Sequence, residues 1–171
     1  MSRDGVVRSS KRIIRLNPTV ETSEYANGDV IFTGLEIPRA VIEKGGCSKL
    51  ISAFVVSEGD NHPIGYLVFT EKTVTLGTVN ATADVSHANF IAANPLGVVY
   101  TEDTIDTDDK IDNVRFGQFF GAGNGHEEFN MPILLQAAND STSVFVGMIK
   151  DQETVTFPQT DSLQIILHLE D

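Results

Sequence analysis

The sequence predicts an all-β protein, an antiparallel sandwich or barrel in a single domain, and three observations carry that reading. First, Val, Ile, Thr, Phe and Tyr together make up 59 of the 171 residues, a bias toward side chains that suit a pleated, half-buried surface. Second, short apolar segments alternate with clusters of turn-forming residues along nearly the whole chain. Third, a chain of this length buries roughly 69% of its unfolded surface on folding, so a core closes without staples. The lone Cys47 supplies none and rules out an internal disulfide.

Taken in order, the strands are expected at 13–16, 30–35, 49–56, 63–70, 73–79, 98–101, 114–120, 131–137, 143–149 and 162–169. Asn27-Gly28-Asp29, Gly45-Gly46, Glu58-Gly59-Asp60-Asn61, the glycine-rich loop 121–125 and Asn139-Asp140-Ser141 separate several of them. Gly and Asn tolerate positive φ, and Asp and Asn hydrogen-bond their own backbone, so these clusters are turns by mechanism. Alternation is clearest in the last strand. Leu163, Ile165 and Leu167 share one face; Gln164, Ile166 and His168 share the other, which is only half polar. One segment departs from the pattern. Over 84–93 a capping residue precedes alanines and apolar residues at near-helical spacing, and Pro95-Leu96-Gly97 stops the run, which predicts one short helix.

The formal net charge of −12 disfavours polyanions as partners, so no nucleic acid is expected. No apolar run approaches the ~20 residues of a membrane helix, and the first residues have no apolar stretch typical of a signal peptide. The N-terminus runs against the acidic trend: Arg3, Arg8, Lys11, Arg12 and Arg15 face a single acid, Asp4. Residues 1–12 lack an apolar period and read as a flexible basic arm ahead of a domain spanning 13–171. The arm is either a solvated tail or a partner-binding element. In the second case Arg3, Arg8, Lys11, Arg12 and Arg15 supply charge, and the segment from Ile13 and Ile14 through Leu16 supplies a strand for pairing.

Candidate chemistry is sparse. The stretch 102–112 holds six carboxylates in eleven residues, suited to a hard cation such as Ca²⁺, with Asp106, Asp108, Asp109 and Asp112 as the ligands to test. It fails the EF-hand pattern, because Ile111 stands where glycine is required and Gly117 where a bidentate glutamate is required. A solvated acidic loop is the competing reading, and no cofactor is called for. His62, His87, His126 and His168 lie too far apart in sequence for a local zinc pair. The 121–125 loop fits neither glycine-rich phosphate motif and is followed by His126 and two acids. Cys47, between Gly46 and Ser48, has no base nearby in sequence. The sequons at Asn80 and Asn139 carry no weight without a secretory signal. Nothing argues for catalysis.

The run Tyr25-Ala26-Asn27-Gly28-Asp29-Val30, then Ile37-Pro38-Arg39-Ala40, the Gly45-Gly46 turn and the strand 49–56 follow a recognisable order. With Tyr66-Leu67-Val68-Phe69-Thr70 and the closing 162–167 segment, that order resembles the head decoration, or cement, proteins of tailed bacteriophages. The resemblance covers most of 25–70 and 142–169. It implies a jelly-roll-like β-sandwich, usually a homotrimer, that sits on the exterior of the virion and clamps neighbouring subunits of the major capsid protein. It brings no catalytic or ligand residue. The expectation is therefore a non-enzymatic virion structural protein. The alternatives are a tail-associated, receptor-binding or carbohydrate-binding sandwich and, more remotely, a cupin-like enzyme.

Overall fold

The computed structural model describes residues 10–58, 65–103, 114–119 and 133–171. Nine strands and one helix follow one another as β1 (Lys11–Leu16), β2 (Val30–Ile37), β3 (Cys47–Glu58), β4 (Gly65–Thr70), α1 (His87–Ala92), β5 (Pro95–Asp103), β6 (Val114–Phe119), β7 (Ile133–Gln136), β8 (Val144–Lys150) and β9 (Leu163–Glu170). Every ladder among them is antiparallel. Two four-stranded sheets, β1-β9-β3-β6 and β5-β4-β8-β2, make the sandwich, joined where the end of β5 pairs with β6. The twelve-residue β3 serves two partners on one side, β7 along its first half and β6 along its second.

Between the sheets lies the main core, built from alternate positions on both: Leu50, Ala53 and Val55 of β3 and Leu163, Ile165, Leu167 and Leu169 of β9 meet Leu67, Phe69, Val146 and Met148. The period of two that marks β9 in the sequence is what places these side chains on one face. The turn before β2 closes as its residues require. Gly28 takes φ +88° and the Asp29 carboxylate accepts from the Ala26 N–H at 2.7 Å, which tightens the bend into β2. Just before it, Tyr25 is fully buried, its ring edge-on to Phe157 at 5.7 Å and its hydroxyl accepting from the Glu21 N–H at 2.7 Å. Burial pushes that phenol above its usual range.

The strand expected over 73–79 is not one. Val74 and Leu76 do point inward, which is why the segment alternates like a strand, but its backbone is held differently. The Thr33 hydroxyl donates to the Val74 carbonyl and accepts from the Leu76 N–H, and a lone parallel bridge joins Val79 to Val30. The segment lies as a strap across the outer face of the β5-β4-β8-β2 sheet. There Val74, Leu76 and Ala93 join Val30 and Val68 in a second apolar cluster, with Phe90 packed against it. The helix starts later than expected. Asp84 and Val85 both donate to the Leu76 carbonyl, and only at Ser86 is the chain released; the Ser86 hydroxyl then accepts from the Asn89 N–H at 3.2 Å.

The boundary between arm and domain also differs: β1 begins at Lys11, so Lys11 and Arg12, expected in the arm, are sheet residues. β5 extends beyond the expected 98–101 in both directions, with Pro95 as its first residue, a position where a missing N–H is tolerated. Arg3, Arg8, His62, the acidic candidates Asp106, Asp108, Asp109 and Asp112, the 121–125 loop and His126 lie outside the described residues. No helix among the described residues is long and apolar enough to cross a membrane.

Candidate functional site

The two sheets differ on their outer faces. Strap and helix cover that of β5-β4-β8-β2, whereas nothing among the described residues covers that of β1-β9-β3. Strand alternation and register decide what this open face presents. On β1 the exposed residues are Lys11, Ile13 and Arg15. Across β9 and β3 they form rows: Lys11 beside Glu170 and Lys49, Ile13 beside His168 and Ser52, and Arg15 beside Ile166 and Phe54. Leu134 of β7 extends the first row next to Lys49.

The face therefore has Ile13 and Ile51 with His168 and Ser52 across its middle, Arg15 toward one margin, and Lys11 and Lys49 with Glu170 between them toward the other. Ile13, Ile51 and Leu134 remain 56%, 41% and 54% exposed, three of the five large apolar side chains so exposed among the described residues. Ile13 and Ile51 line one hollow across β9, and Leu134 lies apart from them, beside Lys49 over a second. The first is a trough of about 390 Å³ over β9, between Ile13 on one wall and Ile51 on the other, with His168 between them. A register shift between Leu50 and Ser52 turns both Ile51 and Ser52 toward this side. The Ser52 hydroxyl lies 2.8 Å from His168 Nδ1, and the Phe54 ring stands edge-on to the imidazole at 5.2 Å. Ser52 is only 5% exposed. Its hydroxyl fixes the histidine ring and is not presented to a substrate.

Arg12 and Ile14 alternate to the opposite side of β1. Arg12 forks onto Asp171, Nε at 2.7 Å and Nη2 at 2.5 Å from the two carboxylate oxygens, and also donates to the carbonyls of Arg39 and Ala40. The guanidinium holds the Asp171 carboxyl below its usual range. Of the basic residues expected to reach a partner, Arg12 is thus spent on the protein's own fold, while Lys11 and Arg15 stand on the open face. Cys47 is exposed at the start of β3, beside Lys49 and Leu134 in a second hollow of about 250 Å³. Among the described residues no three metal-ligating side chains cluster. His87 opens the helix, exposed and far in the chain from His168.

Sequence reasoning places Ile13 and Arg15 among the partner-binding residues but misses Ile51, Leu134 and His168 as members of the same surface. The signal that points to them is the half-polar second face of β9. Ile166 and His168 are there because that face is not simply solvated. Comparison with known proteins adds nothing to the chemistry: no family model and no curated protein matches the chain.

Proposed function

We propose that the protein is a non-enzymatic structural protein of a virion. On this reading it is a decoration or cement protein on the capsid exterior that docks across neighbouring subunits of the major capsid protein, three copies acting together. The observation that carries the reading is the open outer face of the β1-β9-β3 sheet, where the exposed Ile13 and Ile51 are flanked by Lys11, Arg15 and Lys49, with Glu170 between the two lysines, on a chain of net charge −12. Such a surface fits a protein partner: the apolar patch supplies area, and the cations orient an acidic body that would otherwise repel an acidic shell. Many copies, each with modest contact area, hold a shell by avidity. The order of features over 25–70 and 142–169, resembling the phage decoration proteins, supports the same role.

The test is light scattering on the eluting protein at low and high salt, followed by co-sedimentation with phage heads stripped of their decoration protein. A mass of three chains that persists in high salt, and pelleting with the heads, are the expected results. A monomer at both salts overturns the trimer, and failure to pellet overturns the capsid role.

A further inference from the structure

In an antiparallel pair the residues alternate between those that exchange both backbone hydrogen bonds with the partner and those whose N–H and C=O point away. The Asp171 N–H donates to the Ser10 carbonyl at 3.1 Å, which fixes the phase of the β1-β9 ladder. Arg12, Ile14 and Leu16 therefore bond to β9, and the backbone groups of Lys11, Ile13 and Arg15 point the other way. β1 ends its sheet, and none of those three has a backbone partner among the described residues. The opposite end of the sheet path is different, since β2 is covered by the strap through Val79, Asn80 and the Thr33 hydroxyl. The same three residues that offer backbone groups at the edge also present their side chains on the open face, in the order cation, apolar, cation.

We propose that the free edge of β1 is a receiving edge for an extended acidic segment of a partner protein, which adds as an antiparallel strand. This rests on the docking role above and names the partner's chemistry. The segment has an acid opposite Lys11, an apolar residue opposite Ile13 and an acid opposite Arg15, with the apolar residue leaning over the trough that Ile13 shares with Ile51 and His168. Directly opposed side chains on one face are the units of sheet stabilisation, favourable for opposite charges and unfavourable for like ones. That rule also removes the simplest rival, a second copy of β1. Antiparallel self-pairing centred on Ile13 sets Lys11 against Arg15 twice, and sliding the register by two sets a cation against Ile13. The structure also reverses the role expected of this segment: Ile13 to Leu16 are already paired with β9, so β1 accepts a strand and does not leave the domain to become one.

The experiment uses the full chain and an end-blocked seven-residue peptide, Thr-Glu-Thr-Val-Thr-Glu-Thr, with the same peptide carrying Lys for Glu as control, titrated to ~1 mM and followed by amide resonances and hydrogen exchange. The acidic peptide is expected to shift the amides of Lys11, Ile13 and Arg15 and slow their exchange at least tenfold at low salt, with the Lys peptide inert. Ile13→Pro removes an outward N–H without touching the β9 ladder, a substitution edge strands tolerate, and is expected to weaken binding at least tenfold. The double variant Lys11→Glu with Arg15→Glu, which keeps the backbone intact, is expected to exchange the preference for the acidic peptide for the Lys peptide. Three results overturn the proposal: no response at these amides, equal binding of both peptides, or amides already protected in the free protein. No shell enters the experiment, so loss of the capsid role leaves this result standing, and a negative result here leaves the co-sedimentation test untouched.

Discussion

Two charged side chains, each with its pKa lowered in the fold, make stability rise with pH, one in the acid range and one in the alkaline range. Arg12 grips Asp171 by a two-toothed contact and closes onto the carbonyls of residues 39 and 40, tying β1 to the end of β9 and to the loop that enters the core. Charge-assisted bonds of this partly exposed kind are worth about 1–2 kcal/mol together. Arg12→Ala should lower the Tm by a few degrees at neutral pH. Because Asp171 titrates below its ordinary 3.8 in the fold, its contribution is complete above that value and is lost as pH falls through the lowered one. The gap between variant and parent should hold from pH 5 to 8 and narrow below about pH 4, as read by thermal melts. Lys150 acts in the same direction at the alkaline end, through a burial penalty on its charged form. It is almost fully buried, and its ammonium donates to the Asp151 carbonyl; burial lowers its pKa from 10.5 against the pull of Asp151 and Glu153. The unfolded chain then holds its proton to higher pH than the folded one, so the parent gains stability relative to Lys150→Met as pH rises toward 10.5. Melting both proteins at pH 7 and pH 10 measures this; a difference that moves the other way refutes the assignment.

At the level of elements, alternation makes β9 and β3 legible in the sequence, because each has one face in the core and the period of two survives along it. The same alternation misleads over 73–79. Val74 and Leu76 alternate inward under any backbone that runs across an apolar surface, and the sequence does not say whether the partner is a ladder or a single threonine hydroxyl. The helix start differs from its expected place because the anchor of Asp84 and Val85 lies at Leu76, outside the local window that capping rules inspect. The open face is half legible: its β1 and β9 members alternate visibly, but Ile51 reaches it through a register shift that depends on pairing with β9. How closely the strap sits on its sheet gives a direct prediction. A Cβ on Gly147 would meet Leu76 Cδ1 at 2.6 Å and the Phe32 carbonyl oxygen at 3.2 Å. Gly147→Ala should therefore cost about 1–3 kcal/mol through overpacking. Adding Leu76→Val should return part of that loss, a non-additivity that denaturant titration of the single and double variants resolves.

For the whole molecule, the asymmetry between the two outer faces is the feature on which the proposed docking role rests. One face uses its own chain as a lid, so its apolar side chains contribute to folding. The other leaves about half of each of Ile13, Ile51 and Leu134 in water, area that contributes nothing unless a partner covers it. Ile51 and Ile91 make a clean comparison. They are 41% and 53% exposed, one in the middle of the open face and the other on the helix over the closed face. A carboxylate at either position stays solvated, so Ile51→Glu and Ile91→Glu should each leave the Tm within a few degrees of the parent. Only Ile51→Glu places an unpaired charge under the docked partner, and a buried charge without a partner costs several kcal/mol. Binding to stripped heads should fall at least tenfold for Ile51→Glu and stay unchanged for Ile91→Glu, measured by co-sedimentation. Retained binding by the Ile51 variant, or equal loss by both, would move the contact surface off this sheet. The sandwich itself would be unaffected, because the core between its sheets contains neither residue.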